Sequence, residues 1–514
     1  MGRRIRWLGL VMILCFALVV VQLINIQFRK AGALANSPNN PLVSSKADDN
    51  FRGEIYASDG TLLAKSVKET GGTLEYTRQY PGGRLYSQIV GFDSTYEGTA
   101  GVESEYDSYL TVHQQPPQNL SQAIGLSKVP ENADSVTLTI DPKLQQAAQT
   151  ALSTLRGANT DAAVVAIEPK TGAILADYST PNFDPAPLEA PNSVAGTNQQ
   201  ELAALTYFKT PDKEGFYSGQ PLATGVTFPP GSTFKVVTSS TAYNLDPSQI
   251  GFYFKPSATT TFPNSTLVMK NDDGDGDICG GTMADDMFAT SCDPGYGQLG
   301  VKLGAANVVK QAQLFGYESK PPVDLPSAWV ATPTLFAPGG SESSIAPPNQ
   351  AYLAYTSIGQ YNDRASALSN ALIAAGIANG GAIMTPHVME RIDNSQGESV
   401  DTYKPTVWKQ AVSSTAAAQL TSLMKSVITN PYGTAAGVGF PADLDAAVKT
   451  GTAQTQIDNQ TDDWMIGFAP ANDPQIAIAV VVPLQPVNES GADLAGPIVK
   501  DMFEAYLGET GSQG

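Results

Sequence analysis

Pro229-Pro230-Gly231-Ser232-Thr233-Phe234-Lys235-Val236-Val237 is the stretch on which the reading of this 514-residue chain turns. Gly231 permits a sharp turn, and Ser232 then falls at the start of a helix running into Thr238, Ala242 and Tyr243. Residues three apart share a helix face, so Lys235 can reach the Ser232 hydroxyl. A serine at a helix start faces the positive end of the dipole, and its backbone N–H is free to bind an oxyanion. A lysine kept partly neutral by desolvation and a second cation can serve as the base. Such a pair answers a shortage. The chain has two histidines, His113 and His387, and neither sits in a context that suits a Ser-His-Asp triad.

Spacing alone is weak evidence. Ser-x-x-Lys occurs a second time as Ser422-Leu423-Met424-Lys425, in mid-helix with no glycine turn before it, where an exposed helical face explains it. Lys-Thr-Gly also occurs twice. Lys170-Thr171-Gly172 sits in a hairpin where the glycine serves the turn, whereas Lys449-Thr450-Gly451-Thr452-Ala453 precedes a strand beginning at Asp463-Trp464-Met465.

Composition narrows the class. A net charge of −19 repels a long polyanion, which argues against nucleic-acid binding through a basic face. At 42% hydrophobic and 15% charged residues the chain has ample core. With two His and three Cys, a zinc site would need nearly all of them, so no metal or other cofactor is expected. Asp273, Asp275 and Asp277 have the spacing that opens a calcium loop. Ile278 and Ala284, however, stand where such a loop needs Gly and Glu, so a solvated acidic loop is the better reading.

The amino terminus sets the compartment. Arg3, Arg4 and Arg6 precede a 22-residue uncharged run from Trp7 to Phe28, about 33 Å as a helix. The flanking arginines place the tail in the cytoplasm and the rest outside it. Ala33-Leu34-Ala35 offers a rival reading as a signal-peptide cleavage site, but the run is longer than a signal-peptide core. Cys15 lies in this span. That leaves Cys279 and Cys292 exported, thirteen positions apart, as a disulfide or as two buried thiols.

The organisation expected is a tail and membrane anchor at 1–30, a linker at 31–50, a small mostly-β pedestal at 51–130, a large α/β (α+β) domain at 131–508 and a flexible tail at 509–514. The pedestal has strand-like patterns and a turn at Asp59-Gly60. In the large domain, Ser135 to Ile140 reads as a strand, and Asp141-Pro142 starts a helix in the cap-then-proline order. Ala162 to Ile167 and Ala173 to Asp177 read as a hairpin, Asp463 to Ala469 and Gln475 to Val482 as two more strands, and Leu494 to Leu507 as a helix. The strands from the two ends are expected to join in one antiparallel sheet flanked by helices.

Ser232-x-x-Lys235, then Ser291-Cys292-Asp293, then Lys449-Thr450-Gly451 together resemble, in that order, the penicillin-recognising serine transpeptidases and β-lactamases. Arg52-Gly53-Glu54-Ile55 and Gly101-Val102-Glu103 with Tyr106 and Leu110 resemble pedestal boxes of the class B penicillin-binding proteins. Ser357-Ile358-Gly359-Gln360 and Ile377-Ala378-Asn379-Gly380-Gly381 resemble later landmarks of that family. The similarity covers essentially the whole chain, and the short pedestal and cysteine pair look most like the penicillin-binding protein A subgroup.

The resemblance implies D,D-transpeptidation of peptidoglycan stem peptides on lipid-derived glycan strands, with β-lactams as trapped substrates. It implies that Ser232 attacks, Lys235 takes the proton, and Ser291 with Lys449 passes a proton to the leaving amine. The Ser232 and Thr452 N–H groups would form the oxyanion hole, and Thr450 and Thr452 would hold the substrate carboxylate beside Gly451 and Lys449. Partners implied are a glycan polymerase and other wall-synthesis proteins at the pedestal. The family carries Asn where this chain has Asp293, and a carboxylate only accepts hydrogen bonds. It could repel a substrate carbonyl, pair with Lys235 or Lys449, be accommodated by rearrangement, or be a surface-turn residue ahead of Pro294-Gly295. A β-lactamase is disfavoured because no Glu-x-x-Leu-Asn stretch follows Ser291, and Glu318 and Asp324 lack that setting. A non-catalytic scaffold or β-lactam sensor is the alternative of a different class.

Overall fold

The computed structural model describes Trp7 and residues 51–68, 76–94, 98–114, 131–155, 161–189, 211, 215–271, 279–455 and 459–510. The expected anchor, the linker at 31–50, the acidic run at 272–277 and the end of the tail lie outside them, apart from Trp7. Among the described residues no helix is long and apolar enough to cross a membrane, and no His, Cys, Asp and Glu cluster could hold a metal.

In chain order the principal elements begin with strands β1 (Ile55–Tyr56), β2 (Leu62–Lys68), β3 (Tyr76–Gln79) and β4 (Ser135–Leu138), then helix α1 (Pro142–Ser153). Strands β5 (Ala162–Ile167) and β6 (Ile174–Thr180) follow, then helices α2 (Lys235–Asn244), α3 (Asp293–Leu303) and α4 (Ala367–Ala378). The remainder is β7 (Met389–Asp393), β8 (Ser399–Thr402), α5 (Ser414–Thr429), β9 (Ala447–Gln454), β10 (Gln460–Ala469), β11 (Ile476–Pro486) and α6 (Gly491–Thr510).

The central sheet runs β6-β5-β11-β10-β9, antiparallel throughout. Its two ends of sequence do meet: Val480 of β11 lies opposite Val164 of β5. β5 is buried along its whole length and β11 along most of it, which explains their near-continuous apolar runs. α4 packs on β5, β10 and β11, while α1 and α6 pack together over β6, β10 and β11, so the sheet is covered by helices. Asp141 caps α1 as its side chain accepts from the N–H groups of Lys143 and Leu144 at 2.8 and 3.2 Å. α6 runs past the expected end at Leu507 to Thr510, so Gly508 lies inside its last turn.

A second sheet, β8-β7-β4-β1-β2-β3, crosses the expected boundary at residue 130. β4 pairs in parallel with β1 and antiparallel with β7, so the large domain supplies half of a sheet begun by the pedestal. The pedestal is also less purely β than expected. Ser87–Val90, Gly101–Glu105 and Asp107–Leu110 are short helices, the second starting at Gly101 with φ +62°.

Arg52 and Glu103, from the two pedestal boxes, meet in its core. Arg52 donates to Glu103 Oε2 from Nε at 3.1 Å and Nη2 at 2.9 Å, and Arg78 Nε donates to Glu103 Oε1 at 2.7 Å. Gly53 has no room for a side chain, since a Cβ would lie 1.7 Å from the Asp134 carbonyl oxygen. Tyr106 donates to Asp324 Oδ2 at 2.6 Å, and Asp324 accepts from the N–H groups of Val388 and Met389. Asp324 thus ties pedestal to large domain, and Glu318 accepts from the Leu335 N–H at 2.7 Å. Both acids have structural partners.

Candidate active site

Ser232 lies on a 3₁₀ turn, Gly231–Phe234, that leads into α2 at Lys235. The turn is crowded from two sides. Gly231 has φ +52°, and a Cβ there would lie 2.9 Å from the Thr452 carbonyl oxygen of β9. Gly359 accepts from the Gly231 N–H at 2.9 Å, and a Cβ on Gly359 would fall 2.0 Å from the Gly231 oxygen. The Trp464 indole N–H holds the Pro229 carbonyl at 2.8 Å. The loop carrying Ser357 to Gln360 therefore braces the nucleophile's turn.

Ser232 is 9% exposed, at the floor of a cleft, and Lys235 is fully buried beside it. Four acceptors surround the three protons of Lys235 Nζ: Ser232 Oγ at 2.8 Å, Ser291 Oγ at 3.0 Å, the Ser291 carbonyl at 2.5 Å and Asp293 Oδ1 at 2.5 Å. From the opposite wall Lys449 Nζ, on β9, donates to the same Ser291 Oγ at 2.9 Å and to the Thr450 carbonyl at 3.0 Å. The Ser291 hydroxyl thus joins the two lysines, and a continuous line of polar hydrogens runs from Ser232 to Lys449. The second cation acts on Lys235 through that hydroxyl, with a carboxylate on its other side.

Ser291 has φ +57°, a left-handed conformation that costs a non-glycine residue on the order of 1–2 kcal/mol. The turn is held on both sides. The Ser291 and Cys292 N–H groups donate to Phe288 and Met287 carbonyls, and Cys292 is disulfide-bonded to Cys279. Of the two states open to these cysteines, the structure has the bridge. Asp293 is the first residue of α3 and is buried, its N–H donating to Asn271 Oδ1 at 3.0 Å. Of the alternatives for Asp293, the structure shows the pair with Lys235; the surface-turn reading does not hold, because Pro294 and Gly295 continue a buried helix.

Gly451 passes close to the nucleophile's turn, where a Cβ would meet Thr233 Cγ2 at 2.9 Å and the Pro230 oxygen at 3.0 Å. Thr452 lies beside it, its hydroxyl accepting from the Gly491 N–H at 3.3 Å. Ser232, Asp293 and Thr452 line both of two hollows of about 160 Å³ each. Thr434, Thr450 and Ser490 line the first; Met269, Tyr355, Gln360 and Gln454 line the second.

Sequence reasoning missed Thr434, Asn271 and Tyr355. Asn271 carried a signal only as the start of the acidic run; Thr434 carried none. The duplicated motifs fall elsewhere. Ser422 is exposed on α5 and Lys425 pairs with Asp445 at 2.6 Å, while Lys170 pairs with Asp473 at 2.8 Å. His113 lies 3.2 Å from Asp134 and His387 stacks on Tyr403, so neither joins the groups around Ser232.

Comparison with known proteins agrees with this geometry. The penicillin binding protein transpeptidase domain matches residues 162–504, and the penicillin binding protein A dimerisation domain matches residues 52–125. Peptidoglycan D,D-transpeptidase PbpA of Mycolicibacterium smegmatis is 31% identical over 99% of this chain and 100% of its own length. Penicillin-binding protein A from M. tuberculosis, solved as a ceftriaxone acyl-enzyme complex, superposes with a TM-score of 0.77 at 30% identity, covering 90% of this chain and 100% of that one. Its penicillin G acyl-enzyme complex gives 0.74 at 30% identity, covering 89% and 99%.

Proposed function

This chain belongs to the penicillin-binding protein transpeptidase family, and on that premise we propose that it is a serine-type peptidoglycan D,D-transpeptidase working through an acyl-enzyme on Ser232. The observation that carries the reading is the Ser291 hydroxyl held between Lys235 and Lys449, with Lys235 also on Ser232.

Ser232 Oγ attacks the penultimate D-alanine carbonyl of a stem peptide while its proton passes to Lys235. Negative charge on the tetrahedral oxygen falls to the Ser232 and Thr452 N–H groups, one such donor being worth about 3 kcal/mol. Ser291, charged from Lys449, protonates the departing D-alanine nitrogen. The amine of a neighbouring stem then attacks the Ser232 ester, forming the cross-link and freeing the serine. A β-lactam acylates the same oxygen, but its amine stays tethered and blocks the acceptor. The 22-residue apolar run at Trp7–Phe28 supports a single-pass membrane protein with its catalytic part outside, and the pedestal is the part suited to a glycan polymerase or other wall-synthesis partner.

The test is a fluorescent penicillin added to the purified protein, with Ser232→Ala alongside. Covalent label on the parent alone, together with D-alanine release from a D-Ala-D-Ala stem peptide, is the expected result. One observation favours a second reading as a non-turning-over sensor or scaffold: Asp293 occupies the lysine that must take the proton. Persistent label with no D-alanine release would favour that reading, and absence of label on a folded parent would remove the enzyme reading.

A further inference from the structure

We infer that Thr434, on the loop between α5 and β9, is a positioning residue for the ligand carboxylate, completing with Thr450 and Lys449 an anion-binding wall; this rests on the transpeptidase reading above. Thr434 Oγ1 lies 2.6 Å from Thr450 Oγ1, and both hydroxyls line the hollow beside Ser232. Two hydroxyls in contact hold two protons and spend one on each other, so the pair presents one donor to the cleft. Lys449 Nζ lies 3.4 Å from Thr450 Oγ1 and 2.9 Å from Ser291 Oγ. With an ammonium and the Thr434 hydroxyl both directed at that oxygen, the Thr450 proton is the one left for a ligand.

The loop is fixed at more than this contact. The Thr434 N–H donates to the Ala289 carbonyl at 3.0 Å, and Asn430 Nδ2 donates to Asp286 Oδ1 at 2.7 Å. Ala289 and Asp286 lie just before Ser291, so one loop ties the threonine that binds the ligand to the segment that carries the proton relay. The Ala435 N–H donates back to Val427 in α5, and a side chain at Gly433 would place Cβ 2.3 Å from the Val427 oxygen. The backbone is held without the Thr434 hydroxyl, which leaves that hydroxyl for Thr450 and the cleft.

The chemistry identifies the ligand group. A hydroxyl wall with a buried ammonium behind it suits a carboxylate, which a stem peptide ending in D-alanine and a penicillin both carry and a penicillin ester does not. The experiment measures Ser232 acylation rates of the full-length protein in detergent by a penicillin and by its methyl ester, in the parent, Thr434→Val and Thr434→Ser. Thr434→Val is expected to slow the free acid about tenfold, the size of one hydrogen bond to a charged group. It should leave the ester rate within twofold, with Thr434→Ser restoring the acid rate. The acid-to-ester ratio within one variant is unaffected by any misfolded fraction, so a fold defect cannot imitate the result. Equal slowing of acid and ester, or no slowing of either, overturns the inference and leaves the acyl-enzyme reading in place. No acylation of the parent by either compound overturns both.

Discussion

Asp293 is the carboxylate that faces the base of this site. Its carboxylate accepts from Lys235 Nζ at 2.5 Å, in a place where only 9% of the side chain is exposed. Before Lys235 can take the Ser232 proton, one of its own must leave for that carboxylate or for solvent, and the ion pair must loosen. An asparagine amide oxygen still accepts the hydrogen bond but carries no charge to hold the ammonium. Asp293→Asn is therefore expected to accelerate acylation by a fluorescent penicillin about tenfold, corresponding to roughly 1.4 kcal/mol of a charge-assisted hydrogen bond. Identical rates in the two proteins would show that the carboxylate does not restrain the base. Sequence showed that Asp293 was unusual and left its partner open, because Lys235 is 58 positions away and only the tertiary fold brings the two together.

The element that presents Asp293 is a helix start held by a covalent bond. Cys292 sits between Ser291 and Asp293, and its bridge to Cys279 closes a loop of 13 positions that includes the turn from Met287 to Ser291. By loop-closure entropy such a bridge is worth about 3 kcal/mol. The paired change Cys279→Ser with Cys292→Ser is expected to lower the thermal midpoint accordingly and to slow Ser232 acylation. An unchanged acylation rate in a folded double variant would mean the hydrogen bonds alone hold Ser291. This bridge was legible as a possibility because parity left two cysteines outside the apolar amino-terminal run. Strands β5, β10 and β11 and helix α1 were legible too, since their apolar runs and the Asp141-Pro142 cap are local signals. The sheet that β7 and β8 share with the pedestal was not. Its register sets Met389 opposite Leu138 and Ile55 opposite Val136, pairings across hundreds or tens of residues that no periodicity encodes. Thr434 escaped for the same reason: a threonine in a Gly-rich loop gains meaning only from Thr450 beside it.

At the scale of the whole molecule, the distribution of buried acids sets how stability depends on pH. Both carboxylate oxygens of Asp177 lack hydrogen-bond partners among the described residues, while Thr356 sits beside Asp363 and Thr461 beside Asp463. Burial pushes Asp177 up to about 7, burial and then Asp462 push Asp463 up to about 7, and burial carries Asp363 well above the ordinary range. Glu103 goes the other way: burial opposes its charge, but the Arg78 and Arg52 guanidiniums outweigh burial and hold it below the usual value. A raised carboxyl keeps in the folded state a proton that the unfolded chain releases above about pH 4, so its contribution is lost as pH rises towards its folded value. The lowered Glu103 contributes above its unfolded value, and that contribution is lost as pH falls through its folded one. Stability is thus expected to be greatest near pH 4 and to decline as pH rises to about 7. Asp177 isolates the effect, because it lies in β6 with its backbone bound to Gln145 of α1 at 3.0 and 2.7 Å, and it takes no part in the chemistry at Ser232. Asp177→Asn is expected to match the parent at pH 4 and to melt higher at pH 8, by an amount on the order of 4 kcal/mol. Thermal unfolding at the two pH values decides it. Parallel melting curves would place a charged, solvated carboxylate at Asp177, and the decline would then have to come from Asp363 and Asp463.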